Sequence, residues 1–205
     1  MTSPSPQALL RAKTLITDAV KKGNVAPCLS IVQHGFPVDD PIMDVGMNLL
    51  HLVSAECTAD QLREILTLEP NVNAKDAIGR TALHFACRAG NLETFKVLVE
   101  LEDIDVDSVT NSGVSPLMLA VESGKIQLVA EGLNNNLNPF LRDGLDRAAL
   151  DYAQKYKGNL GNDLRQLITT ALDQWISQTD ESDRTGTQQT YSDHFDEFKL
   201  DGSMM

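Results

Sequence analysis

The stretch from Gly79 to Gly90, Gly-Arg-Thr-Ala-Leu-His-Phe-Ala-Cys-Arg-Ala-Gly, constrains the fold more than any other, because weaker copies of it recur at a nearly constant interval. With the Thr-Ala-Leu-His core at Thr81 as reference, similar cores begin at Asn48 (Asn-Leu-Leu-His), Ser115 (Ser-Pro-Leu-Met) and Ala148 (Ala-Ala-Leu-Asp), at offsets of 33, 34 and 33 residues. A fixed period of that length predicts stacked helical units, each too small to bury its own apolar face and each covered by its neighbours. The second half of every unit gives the same register. Apolar residues fall at Cys28, Ile31, Val32; Leu62, Ile65, Leu66; Phe95, Leu98, Val99; and Val129, Leu133, at the i, i+3, i+4 spacing of one helix face. Counting back from the reference places Gly23-Asn24 where Gly90-Asn91 sits, so a degenerate first unit precedes the others, its core eroded to Lys13-Thr-Leu-Ile. Turn-rich segments separate the pairs at Glu69–Asn73, Asp103–Gly113 and Asn134–Gly144, and Ser115-Pro116 suits a helix cap followed by the first helical position.

These residues resemble the ankyrin-repeat family, whose units open with a turn, a Gly and a Thr-Pro-Leu-His-like helix start. The match is strong in the third unit and partial elsewhere, and it spans roughly Thr14 to Trp175. The resemblance implies an all-α ankyrin-repeat solenoid of about five helix-turn-helix units with projecting turns, near 9–42, 43–75, 76–109, 110–142 and 143–176. A Ser- and Pro-rich lead (1–8) and an acidic C-terminal tail (177–205) are expected to be disordered, for want of an apolar face. The chain departs from the pattern at Cys57, where other units have Gly between helices, at Gly132, which interrupts an apolar face, and at Met118 and Asp151, which replace His. The fifth unit reads as carrying an insertion near Gly158 to Asn162. An apolar stripe through Leu164, Leu167, Ile168, Ala171, Leu172 and Trp175 would then close the stack.

A net charge of -12, from 17 basic and 29 acidic residues, argues against nucleic acid and anionic membranes as partners. Three cysteines at wide spacing, with no Cys-x-x-Cys pair, read as reduced thiols. Together with the lack of a signal-like or membrane-spanning run, they predict an intracellular location, cytoplasmic in the first place with nuclear or cytoskeletal left open.

Catalytic and metal motifs fail one by one. Asp103-x-Asp105-x-Asp107 imitates the start of a calcium loop, but Ser108 stands where the loop needs Gly and Val114 where it needs a bidentate Glu. Cys87 lies within a helix core and reads as packed rather than reactive. Phosphate loops, nucleophile elbows and His-Glu-x-x-His helices are missing from the sequence, so no enzyme activity, cofactor or metal is expected. The family resemblance implies that His51 and His84 make structural hydrogen bonds tying neighbouring turns together.

It also implies that ligands meet a concave inner face, through two residues before the turn Gly, one after it, and two near the end of the first helix. Over five units these positions hold eight basic and three acidic residues, half of the basic ones in the first unit (Arg11, Lys13, Lys21, Lys22). The expected partner-binding residues are Met47, Ile78, Arg80, Arg88, Val114, Glu122, Leu145, Arg147, Lys155 and Tyr156. Arg80, Arg88, Arg147 and Lys155 would select an acidic segment of the partner, and the apolar side chains would supply contact. In the tail, Tyr191, Phe195 and Phe198 form a candidate motif, Phe195 and Phe198 falling on one face of a short helix. The predicted function is therefore a non-catalytic protein-interaction adaptor or scaffold of unknown oligomeric state. The alternatives are a switch inhibited by its own tail, and a non-catalytic regulatory subunit or inhibitor of an enzyme.

Overall fold

The computed structural model describes residues 5–182. These form ten helices: α1 (Pro6–Lys21), α2 (Ala26–Gln33), α3 (Leu49–Glu56), α4 (Ala59–Leu66), α5 (Ala82–Ala89), α6 (Leu92–Val99), α7 (Pro116–Ser123), α8 (Ile126–Asn134), α9 (Ala149–Ala153) and α10 (Gly158–Ser182). No strand occurs among the described residues. Residues 177–182 of the stretch expected to be a disordered tail lie instead in α10, while the rest of that tail, with the motif at Tyr191, Phe195 and Phe198, and residues 1–4 of the lead lie outside those described.

Helices pair in chain order, and the pairs stack in one dimension. The first helices of successive units pack on one another (α1 on α3, α3 on α5, α5 on α7, α7 on α9), and so do the second helices from α4 through α6 and α8 to α10. The helix starts follow from local chemistry. The Asn48 side chain accepts the His51 N–H, Thr58 that of Gln61, Asn91 that of Thr94 and Ser115 that of Met118, each covering a donor that has no partner inside its helix. The first helices of the third and fourth units end at Gly90 and Gly124, both left-handed (φ 69° and 72°). In the second unit the chain instead leaves α3 through Cys57 in an extended conformation, and Thr58 starts the next helix at once.

The core is the set of faces that the periodicity marked. Leu62, Ile65, Phe95, Leu98 and Val129 are buried, with Ile31, Val32, Leu66, Val99 and Leu133 packed against them. Each fully buried side chain of this size stabilises the fold by about 1.5–3 kcal/mol. Gly132 is explained by packing. A Cβ there would lie 3.3 Å from the fully buried Leu137 and 3.6 Å from Leu117, so the missing side chain is the space Leu137 occupies.

The two ends differ from the middle. Helices of the second to fourth units have eight or nine residues, whereas α1 has 16 and α10 has 25. Helix α1 begins at Pro6, inside the stretch read as a lead, with the Ser5 hydroxyl accepting from Ala8. By register, residues 6–13 correspond to the turn of the other units, so the first unit has helix where the others have a turn. Gly158 to Asn162, read as an insertion, form the start of α10. Further along that helix Trp175 meets Phe140 of the preceding turn, ring centroids 6.4 Å apart.

Candidate functional site

The turns are joined at their tips by backbone hydrogen bonds. Ala77 N–H donates to Val45 O (3.0 Å), Asn111 N–H to Ile78 O (2.9 Å) and Gly144 N–H to Ser112 O (2.7 Å), one rung between each adjacent pair from the second unit to the fifth. A rung uses only backbone atoms, and Asn111 adds a second bond across it, its Nδ2 donating to Ala77 O (3.1 Å). Val45 (47% exposed), Ile78 (51%) and Leu145 (73%) occupy the same position of their turns, immediately before the left-handed residue, and Ser112 fills that place in the fourth unit. They are three of the five large apolar residues exposed among those described; the other two lie on α1.

Below the tips, the third and fifth units repeat one arrangement. The Asp76 carboxylate accepts from the Ile78 and Arg80 N–H groups (3.1 and 2.8 Å) and pairs with the Arg80 guanidinium at 2.6 Å, which lies 4.5 Å from the Phe85 ring centroid. Asp143 accepts from Leu145 and Arg147 N–H (both 2.9 Å) and pairs with the Arg147 guanidinium at 2.6 Å, which lies 4.9 Å from the Tyr152 ring centroid. The Tyr152 hydroxyl adds a bond to Asp143 (2.7 Å). Burial alone would raise both carboxyls, but the hydrogen bonds and the facing guanidinium outweigh it and hold each below the usual carboxylate range. Burial and the adjoining carboxylate push the Tyr152 phenol up to about 12.

This sorts the four cations expected to meet a partner. The Arg80 side chain is only 15% exposed and already neutralised, which makes it a brace of the turn. Arg147 is equally neutralised but 49% exposed. Arg88 and Lys155 are exposed at the ends of the first helices, Lys155 lying 5.5 Å from the Tyr156 ring centroid. Neither has an ion-pair partner among the described residues.

Of the other expected residues, Val114, Glu122, Arg147 and Lys155 come together, lining a groove of about 360 Å³ between the fourth and fifth units with Leu119, Asp151 and Tyr152. Tyr156 is half-buried and bonds back to the fourth unit, its hydroxyl donating to Glu122 O at 2.6 Å. Met47 is half-buried against the core and its carbonyl accepts from Ile42 N–H (2.7 Å). Asp76, Asp143 and Tyr152 were not singled out from the sequence. The signal was present as Asp-x-x-x-Arg with an aromatic five residues later, at Asp76–Phe85 and Asp143–Tyr152.

The histidines tie units together. His84 Nδ1 accepts from Thr81 N–H (3.2 Å), which leaves Nε2–H to donate to Val114 O of the next turn (3.0 Å). His51 does the same between Asn48 N–H (3.1 Å) and Ala74 O (2.9 Å). Burial lowers both, His84 to about 4. The three thiols are free and buried; burial raises Cys28 and Cys57 to about 11 and Cys87 further, which keeps them protonated. In the acidic trio, Asp107 accepts from Asn138 N–H of the next turn (2.8 Å) and Asp105 N–H donates to Asn73 of the previous one (2.9 Å). These are inter-turn struts. No cluster of three or more His, Cys, Asp or Glu able to hold a metal occurs among the described residues. Nor is any described helix long and apolar enough to cross a membrane.

Comparison with known proteins agrees with this architecture. The zebrafish (Danio rerio) neurogenic locus notch homolog protein 1 is 28% identical over 122 residues, covering 60% of this chain and 5% of that protein. The human neurogenic locus notch homolog protein 2 is 32% identical over 108 residues, covering 53% of this chain and 4% of that protein. The chain thus spans about one-twentieth of the length of these relatives. A profile of ankyrin repeats, in three copies, matches residues 16–143, well over half of the chain. With the helix pairs, the rungs between turns and the histidine ties in the same register, the chain belongs to the ankyrin-repeat family.

Proposed function

We propose that this repeat array is a non-catalytic adaptor that receives a partner protein on the face formed by the turn tips and the ends of the first helices. The observation that supports this most directly is the placement of Val45, Ile78 and Leu145: large apolar side chains exposed at one position of three turns, on a backbone braced from unit to unit. Isolated exposed apolar residues are ordinary, whereas a register-matched series on a rigid support fits a docking surface. Arg88, Glu122 and Lys155 flank it with charge of both signs, so selection of an acidic partner segment by this part of the face rests on Arg88 and Lys155 rather than on Arg80. A preorganised stack loses little ordering entropy when a partner docks. Three free, buried thiols fit a reducing intracellular compartment.

The test is a pull-down from source lysate with the full chain and with its Ile78→Asp/Leu145→Asp variant, bound proteins being identified by mass spectrometry. A partner retained by the native chain and lost with the variant supports the reading. Equal capture by both removes the turn tips from the binding surface.

A further inference from the structure

The docking face carries its charges in a fixed order. Arg88, Glu122 and Lys155 each stand seven residues after the residue that caps the first helix of their unit, Thr81, Ser115 and Ala148. All three are exposed, and none has an ion-pair partner among the described residues. The second unit has Ala55 at this position, so from the third unit to the fifth the row reads basic, acidic, basic. Consecutive units abut at this level. A Cβ on Gly90 would lie 2.9 Å from Lys125 Cγ of the fourth unit, and one on Gly124 would lie 2.9 Å from the Tyr156 hydroxyl of the fifth. The other charges of the groove between the fourth and fifth units are engaged: Arg147 pairs with Asp143, and Asp151 accepts from Ala148 N–H (2.8 Å) and from the Gln154 amide (3.2 Å).

Spacing selects the backbone that can match this row. Helices α5, α7 and α9 pack in succession, and packed helices lie about 8–10 Å apart, so the row advances by about 9 Å per unit. At physiological salt that step exceeds the screening length of about 8 Å, so neighbouring opposite charges of the row do little to satisfy one another. In a polyproline II segment every third side chain points the same way, about 9.3 Å further on. A β-strand returns to one face after about 6.8 Å, and an α-helix after seven residues, about 10.5 Å. Only the first value falls within the spacing of the units. We propose, on the basis of the docking face described above, that the partner presents a polyproline II segment with acidic, basic and acidic side chains at successive third positions, paired with Arg88, Glu122 and Lys155. The turn tips advance with the same units as Ile78, Ser112 and Leu145, apolar, polar, apolar. A threefold segment lying along both rows turns one side chain of each three to the charges and the next to the tips, and leaves the third in water. Such a segment is already ordered before it docks, as the stack is, so exposed ion pairs of modest strength suffice to set the choice of partner.

Fluorescence anisotropy with the full chain tests it, the probe being a labelled nine-residue Pro-rich peptide with Glu, Lys and Glu at its first, fourth and seventh positions and Leu at its second and eighth. A peptide with the three charges reversed should bind about ten-fold more weakly. The variant Arg88→Glu/Glu122→Lys/Lys155→Glu should invert that preference and favour the reversed peptide. Because the three positions are exposed, its circular dichroism melt should match that of the native chain. The same residues rearranged to put the charges two apart should bind the native chain about ten-fold more weakly than the probe. The proposal is overturned by a probe that does not bind, by a preference that the triple variant leaves unchanged, or by equal binding of the rearranged peptide. A fifteen-residue helical peptide with its charges seven apart separates failure of the proposal from failure of the docking face. If it binds more tightly than the probe and Ile78→Asp/Leu145→Asp abolishes that binding, the face stands and the polyproline II assignment falls. If no peptide responds either to Ile78→Asp/Leu145→Asp or to the charge reversals, both fall.

Discussion

The turn of the third unit and the turn of the fifth are built from the same parts and end in different states. Both fold a carboxylate under two N–H groups, clamp an arginine against it and lay the guanidinium on an aromatic ring. Yet Arg80 is largely buried and Arg147 is about half-exposed. The difference comes from what stacks next. The fourth unit closes over the third, with Asn111 on the Ile78 carbonyl and Val114 O on His84, whereas no further turn follows the fifth among the described residues. One local motif therefore yields a brace when covered and a presented cation at the edge.

The comparison is broken most forcefully at the carboxylates. Asp76→Ala strands a largely buried guanidinium and two N–H groups, and should cost about 4 kcal/mol in urea unfolding. Asp143→Ala leaves groups that water can reach and should cost clearly less. Equal losses would mean that coverage by the next unit is irrelevant.

Lowering the pH separates the two turns in a second way. The third unit has His84 where the fifth has Asp151, and His84 titrates near 4 when folded against 6.5 when unfolded. The unfolded chain then binds the proton first, so this contribution is complete above pH 6.5 and is lost as the pH falls towards 4, about 3 kcal/mol in all. His51, also lowered, adds to the loss in the same direction. Asp76 and Asp143, held below their ordinary 3.8, contribute only to the decline below that value. Stability curves of the native chain and His84→Gln should differ most at neutral pH and converge by pH 4; parallel curves would remove His84 from the acid response.

A smaller effect is expected at the left-handed residue of each turn. A Cβ on Gly79 would lie 2.7 Å from the Asn111 side chain and 2.8 Å from its backbone nitrogen, at φ 86°. Gly79→Ala should therefore destabilise by about 2 kcal/mol. The fifth unit places Asp146 at φ 60° in the equivalent position, and Asp146→Gly should stabilise by up to about 1 kcal/mol by relieving that conformation. Thermal melts that move in the same direction for both would remove backbone strain as the common determinant of these positions.

How legible the site was depends on the residue. The exposure of Ile78 and Leu145 follows from their place in the turn and could be read from the repeat register. The 15% exposure of Arg80 could not, because it depends on how whole units pack, and the fourth unit bonds to this turn from some thirty residues on, through Asn111 N–H at Ile78 O. Met47 follows the turn Gly as Arg80 does, but sits partly in the core. Ser5-Pro6 carried a readable start signal, a capping hydroxyl followed by a proline at the first helical position, yet composition pointed to a lead, and only the packing of Leu9 and Ala12 on the core shows why helix forms there.

By itself, the sequence determined the period, the pairing of short helices, most of their caps and the positions that face outward at each turn. All of these depend on residues within one unit, acting over one or two helical turns. The tertiary structure alone decided which arginines remain available, why position 132 has no side chain, and how far the end helices run. Those outcomes depend on atoms supplied by neighbouring units, or on their absence among the described residues at the ends of the stack, and a repeat register does not distinguish a unit that will be covered from one that will not.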